Sequence, residues 1–421
     1  MVQGTIAREA ALDILRRVRT GQTFDLALAA VVDGIKDADR RLAYEISAGV
    51  LRFRTELDVR LRQLVSGDWD RTPPDLQDLL RIGVYQLTRL ERVPAYGAVQ
   101  ATVEVTKRSN GPRAAGLVNA VLRRVTKEDL PAPNKEPPTN GAELAERFSH
   151  PPWLVERWVE NFGFTGTHKL LEHNNRRPSL IIQNVRWSAE RLRDQLNDQN
   201  ISWTEAPFGE GFVVADARVE NLPGYHEGAF IVQDAAQTRL LEHADIPEGA
   251  LVWDACASPG GKSAVLSRRG PVVASELHAD RIGRLRETLN RVASQIPVLR
   301  ADACYPPLAP SNVDVTLIDA PCSATGTLQR HPDGRWRLSE ERVQAAARYQ
   351  AKLLDGVNQV VHPGALLVYM TCSLEPEENT EVIDLFLAKN TDFIRDGEDL
   401  FLFPPDSGTD GGFAARLRRG I

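Results

Sequence analysis

Through residues 1–130, apolar side chains return every three or four positions. Ile6, Ala10, Ile14 and Val18 repeat with Leu15 alongside, and Leu42, Ala43, Ile46 and Val50 follow Asp39, an acceptor suited to a helix start. Leu76, Leu79, Leu80, Val84 and Leu87 form a third stripe. Val99, Val103 and Thr106 make a fourth, and Leu117, Val121, Leu122 and Val125 resume after the Gly111-Pro112 break. Such spacing lays one apolar face along each helix. No alternating run interrupts it, so an all-α bundle is expected for 1–130.

The pattern then stops. Residues 131–140 hold four prolines, which disfavour both helix and central strand and mark a linker. Residues 141–248 are mixed: helical spacing near 152–162 and 188–199 alternates with strand-like runs at 179–185 and 211–215, a small α+β subdomain. From 249 to 421 the rhythm is βα. ALVWDA, PVVASE, PVLRA, VTLIDA and ALLVYMT read as buried strands, with helices at 280–292, near 339–361 and at 376–389. Strands alternating with helices build a doubly wound parallel sheet, so an α/β domain is expected here. The tail GFAARLRR (412–419) alternates like an edge strand.

With 421 residues, 42% of them hydrophobic and 26% charged, the chain can bury several cores. No apolar run approaches the ~18–20 residues of a membrane span, and the N-terminus lacks the apolar stretch of a signal peptide. A cytoplasmic location with no membrane partner is expected. The four cysteines (256, 304, 322 and 372) lie 48, 18 and 50 apart with no C-x-x-C, so neither a zinc site nor a disulfide framework is expected, and no metal. Net charge is −6, yet residues 1–130 carry 21 Lys/Arg against 17 Asp/Glu and the remainder 30 against 40. Phosphate affinity follows local patches rather than the total. Arg113, Arg123, Arg124 and Lys127 are one candidate RNA-facing patch, with a solvated helix face as the plainer reading.

The first strand of the α/β region runs into D-A-C-A-S-P-G-G-K-S (254–263). Glycines between a strand and a helix let a ligand approach backbone N–H groups. A Walker loop fits Gly261-Lys262-Ser263 but needs glycine where Cys256 stands, and G-x-G-x-x-G is absent. An Asp-led turn of the kind that holds S-adenosylmethionine remains. Glu276 ends the second strand, 22 residues after Asp254, where an acid accepts from ribose hydroxyls. Asp302 and Asp319 are expected to end the third and fourth strands, although an acid at a strand end is also an ordinary helix cap.

Cys322 in D-A-P-C-S and Cys372 in T-C-S each close an apolar run. In an open parallel sheet, ligands bind just outside the carboxyl ends of the strands. Two thiols there suit covalent chemistry on a pyrimidine. Carbon 5 of cytosine becomes nucleophilic once a thiolate adds to carbon 6, and the base must first leave any stack. A second cysteine suits release of the adduct, and Asp319 suits a hydrogen bond to the cytosine ring. Cys256 and Cys304 lack a matching context for that covalent chemistry.

DACASPGGK, DAPCSATGT, RHPDGRW and TCSLEPEEN resemble the motifs of RNA (cytosine-5)-methyltransferases of the Nol1/Nop2/Sun family. DRRLAYEISAGVLR (39–52), GVYQLTRLERVPAYGAV (83–99) and GLVNAVLRR (116–124) resemble a NusB-like RNA-binding domain, fused to the catalytic core in the bacterial 16S ribosomal RNA subgroup. The resemblance spans nearly the whole chain. It implies a class I, Rossmann-like S-adenosylmethionine-dependent methyltransferase core after the helical domain and the α+β subdomain, with 16S ribosomal RNA as partner. It also implies Cys372 as nucleophile and Cys322 as the residue assisting release, a ranking the residues alone leave open. Cys256, Ala257, Ser258, Pro259, Gly260, Gly261, Lys262, Glu276, Asp302 and Asp319 fall on the cofactor positions. The same chemistry on transfer RNA, or a non-catalytic assembly factor, are the rival readings.

Three positions depart from the family pattern: Ser258 replaces an alanine, Ala324 a glycine, and Gly412 an aromatic residue. Ala324 disfavours a positive φ that glycine permits. Among the other motifs, EPEEN (375–379) reads as a helix start and HPDGRW (331–336) as a loop near RNA or a surface turn, with no identifiable partner for His331. Gln233-Asp234 reads as either a cap or a closure of the cofactor site.

Overall fold

A computed structural model describes residues 4–127, 136–215, 218–293, 295–309 and 313–421. Half of the expected linker (131–135) and the Lys127 side chain lie outside them. The chain divides into two compact units, Met1–Arg176 with Leu328–Arg337, and Arg177–Thr327 with Leu338–Ile421.

The first unit is helical and, among the described residues, holds no strand. It consists of α1 (Thr5–Arg19), α2 (Phe24–Val32), α3 (Asp37–Arg52), α4 (Arg54–Leu64), α5 (Pro74–Arg89), α6 (Ala95–Lys127), α7 (Gly141–Phe148) and α8 (Pro152–Asn175). Gly111 sits at φ 85° ahead of Pro112, and the missing N–H of proline there kinks α6. The stripes read from sequence converge: Ile14, Ile46, Leu79, Leu80, Val118 and Leu122 are all fully buried in one core. Each contributes about 1.5–3 kcal/mol of burial free energy. In the expected basic patch, Arg123 and Arg124 are exposed; Arg124 donates to the Leu64 carbonyl at 2.9 Å and Arg123 to Asn119 at 3.1 Å.

Residues 328–337 belong to this helical unit and not to the α/β unit that surrounds them in sequence. The HPDGRW motif is therefore not a surface turn, which corrects the expectation. Arg335 is fully buried. Its guanidinium donates to the carbonyls of Arg52 (3.3 Å), Ser149 (3.2 Å), Asn174 (3.2 Å) and Leu328 (3.4 Å) and to Asn175 Oδ1 (2.8 Å). The Trp336 indole N–H donates to the Leu51 carbonyl at 2.7 Å, and buried Asp333 accepts from the Phe24 N–H at 3.1 Å. His331 has a partner after all, with Nδ1 lying 3.2 Å from Asp25 Oδ2. Polar side chains are tolerated inside because nearly all their donors are matched.

The second unit contains two sheets. β1 (Leu180–Asn184), β2 (Trp203–Glu205), β3 (Phe212–Val214) and β4 (Phe230–Val232) form an antiparallel sheet in the order β2-β3-β1-β4. Helix α9 (Ala189–Asp198) covers one face, setting Leu192 and Leu196 among Ile182, Phe212 and Phe230. Helix α10 (Ala235–Ala244) follows, capped by Asp234, whose carboxylate accepts from the Ala236 N–H at 2.9 Å.

The large sheet comprises β5 (Val252–Asp254), β6 (Val272–Glu276), β7 (Val298–Arg300), β8 (Val315–Asp319), β9 (Leu366–Thr371), β10 (Phe393–Arg395), β11 (Leu400–Leu402) and β12 (Gly412–Arg419). Its order is β10-β12-β9-β8-β5-β6-β7, with β11 also pairing to β12. Strands β9, β8, β5, β6 and β7 run parallel, and β12 is antiparallel to β9. The connecting helices are α11 (Gly261–Leu266), α12 (Ala279–Val292), α13 (Glu340–Val357) and α14 (Thr380–Lys389). Strand β9 is buried at every position, as a parallel strand covered on both faces must be. Leu367 and Tyr369 meet Leu353, Ile383 and Phe386 on one side, while Leu366, Val368 and Met370 meet Leu240 and Leu317 on the other. β12 is not an edge strand: β10 and β11, two three-residue strands unrecognised in the sequence, pair along its outer side. Among the described residues, no helix is long and apolar enough to cross a membrane.

Arg335→Ala strands several buried carbonyl oxygens, so it is expected to destabilise the protein by about 3 kcal/mol. His331→Ala, which removes a half-exposed partner, is expected to change stability by less than about 0.5 kcal/mol. Parallel thermal melts of the two variants check both values.

Candidate active site

The strand order reverses between β5 and β8, which lie side by side and lead to helices on opposite faces of the sheet. Ligands bind at such a switch point, outside the carboxyl ends of the strands. Asp254, Glu276 and Asp319 are the last residues of β5, β6 and β8. A cavity of about 340 Å³ opens there, and Cys256, Glu276, Asp319, Cys322 and Cys372 all line it. The Sγ atoms of Cys322 and Cys372 are 3.3 Å apart, although fifty residues separate them. The hydrogen bond to Cys372, then burial, pushes the Cys322 thiol well above its usual range. Either sulfur can donate in that contact, and ionisation is disfavoured at Cys322. Burial likewise raises Cys256 well above the usual range and Cys304 to about 11, which leaves both thiols unreactive.

The glycine turn meets the cavity through Ala255, Cys256 and Ser258. Ala257 faces away, into the core with Leu285 and Leu289. Gly260, at φ 106°, starts α11 and backs onto the same two leucines, and Pro259 is exposed. A Cβ on Gly261 would come within 3.1 Å of Gln233. Lys262 is buried and crosses to Asp319, donating at 2.7 Å, and also donates to Gln237. Asp302 lies beyond the end of β7; its carboxylate accepts from the Cys304 N–H at 2.9 Å, and its neighbours Ala301 and Ala303 line the cavity.

Asp254 is fully buried, and burial first, then Asp319 nearby, raises its pKa to about 7. Its Oδ2 accepts from Ser263 at 2.6 Å, whereas among the described residues Oδ1 has no hydrogen-bond partner of good geometry. An orphaned buried acceptor at a strand end, beside a cavity with acids at two further strand ends, matches what an aminoacyl and ribosyl ligand presents: an ammonium and hydroxyl donors. The residues present fit S-adenosylmethionine. Tyr349 and Leu353, four apart on α13, complete the wall, and burial raises the Tyr349 hydroxyl to about 12. The helix was legible in the sequence, but which of its faces meets the cavity was not.

Three models of known families match in chain order: the NusB family over residues 5–127, the RsmF/B ferredoxin-like domain over 150–219, and the 16S rRNA methyltransferase RsmB/F over 243–418. The ribosomal RNA small subunit methyltransferase B of Pasteurella multocida is 33% identical, across 97% of this chain and 95% of its own. The Vibrio cholerae protein of the same name is also 33% identical, across 93% and 91%. This chain belongs to the RsmB/F family. It is an S-adenosylmethionine-dependent methyltransferase acting on RNA. Among solved structures, the crystal structure of PH0851 matches with a TM-score of 0.81 at 22% identity, over 100% of this chain and 99% of that one. That of NSun6 from Pyrococcus horikoshii matches with a TM-score of 0.56 at 18% identity, over 63% and 97%. Both likenesses concern the fold.

The family core contains a residue that sequence reading passed over. EPEEN does start a helix, a 3-10 turn over Pro376–Glu378 that leads into α14 at Thr380, but Glu378 points inward, fully buried. Its carboxylate accepts from the Ser323 N–H at 2.8 Å, from the hydroxyls of Ser323 and Ser373, and from Gln350 at 3.2 Å. Ser323 and Ser373 are the residues immediately after the two cysteines. One carboxylate therefore joins both thiol-bearing turns. Burial raises its pKa, and the serine donors oppose that shift. Gly326 adds a second tie: its N–H donates to the Cys372 carbonyl at 2.9 Å, its carbonyl accepts from the Gly411 N–H at 2.8 Å, and a Cβ would meet the Cys372 oxygen at 2.8 Å.

The three departures from the family pattern have local explanations in the RsmB/F-type core. Ala324 does adopt the left-handed conformation, at φ 58°, a cost of about 1–2 kcal/mol relative to an ordinary backbone. Ser258 keeps the turn by donating to the Arg281 carbonyl at 3.3 Å. At Gly412 a side chain would meet Leu240 at 2.8 Å, so a leucine of α10 fills the volume that the missing aromatic leaves.

Glu378→Ala removes the shared acceptor of the Ser323 and Ser373 hydroxyls, the Ser323 N–H and the Gln350 amide. A loss of about 2–3 kcal/mol in stability is expected, together with a fall in methyl-transfer rate at saturating cofactor. Urea denaturation and a labelled-methyl assay on one preparation check the two effects.

Proposed function

We propose that this protein methylates carbon 5 of a specific cytosine in 16S ribosomal RNA through a covalent adduct on Cys372. The reading is supported above all by the two sulfurs 3.3 Å apart in a cavity shared with Glu276 and Asp319. Family membership and the names of the relatives support the small-subunit substrate.

The chemistry follows from the residues. The Cys372 thiolate adds to carbon 6 of a flipped cytosine, and a neutral Cys322 thiol donating to that sulfur stabilises the anion beforehand. Addition turns the ring into an enamine with electron density at carbon 5. Glu276, Asp302 and the turn 256–262 would hold S-adenosylmethionine, with Asp254 as acceptor for its ammonium, and the bound cofactor would supply the methyl group. Asp319, fixed by its ion pair to Lys262, accepts from the cytosine exocyclic amine or the protonated ring nitrogen and keeps carbon 6 over the sulfur. As the Cys372 sulfur adds to carbon 6, Cys322 passes its proton to ring nitrogen 3. The Cys322 thiolate then takes the proton from carbon 5 while the Cys372–carbon 6 bond breaks, the electron pair returns to the Cys372 sulfur, and the ring nitrogen releases its proton to solvent. The paired departure restores the aromatic ring and both thiol states. The site is expected to work in the cytoplasm.

Cys372→Ala is expected to abolish methyl transfer while RNA binding persists; turnover equal to the parent would refute the nucleophile assignment. Cys322→Ala, which removes the group that completes elimination, is expected to accumulate a protein–RNA adduct, seen as a slow band on a denaturing gel. Bisulfite sequencing of ribosomal RNA from a deletion strain tests the substrate: 16S methylation identical to the parent would favour transfer RNA or another RNA.

A further inference from the structure

The helical unit has a cavity of its own, about 470 Å³, lined by Phe53, Arg60, Arg89, Arg147, Phe148 and Arg176 together with Glu56, Glu172 and Asn175. It lies between the α4–α5 pair and the α7–α8 pair. Four arginines face two glutamates. Glu56 is spent, since it is buried and bonded to both Arg60 and Arg89, and Arg89 also lies over the Phe53 ring at 4.2 Å. Arg60 retains a buried Nε without an acceptor. Arg147 uses one terminal nitrogen on the Glu136 carbonyl, and Arg176 is exposed. Glu172 keeps only a 3.6 Å approach to His168. The Phe148 ring is half-exposed at the rim and braced by His168, centroid to centroid 5.2 Å.

A second observation shows that the cavity is built and not incidental. Arg335 lies fully buried in the same unit and, among the described residues, no carboxylate pairs with it. Burial, then Arg52 nearby, lowers its pKa well below the usual arginine value. Its donors hold the carbonyls of Arg52, Ser149 and Asn174 and the amide oxygen of Asn175. Arg52 precedes Phe53, Ser149 follows Phe148, and Asn175 and Arg176 follow Asn174. Each carbonyl is thus one or two residues from a side chain that lines the cavity. A buried guanidinium with only neutral partners costs stability, and here it fixes the aromatic and cationic walls relative to each other. It also adds a positive charge beneath them.

Resting on the RNA-methyltransferase reading above, we infer that this cavity docks one nucleotide of single-stranded RNA, its phosphate between Arg147 and Arg176 and its base against Phe148. Planar guanidinium forks match phosphate oxygens, and an aromatic face accepts a base of any identity. The volume lies within the range of small-ligand sites. The contact therefore adds affinity without sequence choice.

The test uses the full-length protein and a single-stranded fragment of 16S RNA, with anisotropy titrations at several salt concentrations. Arg176→Glu and Arg147→Glu are each expected to weaken binding at least tenfold. Loss of one phosphate contact should flatten the logarithmic salt slope by roughly 0.7. Phe148→Leu is expected to weaken binding several-fold with the slope intact. S-adenosylmethionine affinity, measured on the same samples, should not move, and thermal melts matching the parent show that the helical unit is folded. Unchanged RNA affinity and slope in Arg176→Glu, with the parent binding normally, would overturn the cavity assignment alone. Failure of the parent itself to bind RNA would overturn the functional reading beneath it. Retained RNA affinity with loss of a co-purifying acidic protein would assign the cavity to that partner and equally overturn the RNA inference.

Discussion

Glu378 sets the distance between two sulfurs that the chain keeps fifty residues apart. Thiols share a proton only within about 3–4 Å, and each cysteine here sits on a turn with little regular structure around it. A single carboxylate reaching the residue after each cysteine, with Gly326 tying one turn to the backbone of the other, removes that freedom. The arrangement is costly to bury, and its donors are what make it tenable: two hydroxyls, one N–H and one amide converge on the carboxylate. Without this clamp the thiol pair would have the right chemistry and no fixed geometry.

The sheet provides the frame on which that clamp acts. Its parallel strands end together at the switch point, so the acids that close β5, β6 and β8 meet without any one of them being adjacent in sequence. Lys262 spends its charge on Asp319 and leaves Asp254 unpaired at Oδ1, which separates two carboxylates of the same site into an ion-paired anion and a group poised near neutrality. Burial, not sequence, makes that distinction. The family departures fit the same logic: strain at Ala324 is carried by a turn held on both sides, and the space at Gly412 is taken by Leu240.

The helical unit is organised around a different kind of buried charge. Arg335 reaches it from the middle of the α/β sequence and, among the described residues, is held by carbonyls, an amide oxygen and the His150 ring, with no carboxylate. A guanidinium has five N–H donors in a fixed plane, so it can bridge helices that share no side-chain contact. Residues within two positions of those carbonyls in sequence, Phe53, Phe148 and Arg176 among them, line the cavity. Stability and ligand-facing geometry in this unit therefore rest on one short segment.

Much was legible in the sequence, because periodicity and local motif chemistry are properties of short windows. The helical stripes, the βα rhythm, the strand-end acids and both cysteine turns all stand in the chain as they stand in the fold. So do the kink at Gly111-Pro112 and the positive φ at position 324. What needed the tertiary structure was every statement about which distant groups meet. HPDGRW looks like a turn in isolation, since its polar residues gain partners only from helices hundreds of positions away. EPEEN does open a helix, but that Glu378 is the acid accepting from both serines is invisible in the chain. β12 looks like an edge until β10 and β11, too short to show a period, pair beside it. Hydrogen bonds between remote segments leave no periodic trace in the chain, so only the folded molecule could decide them.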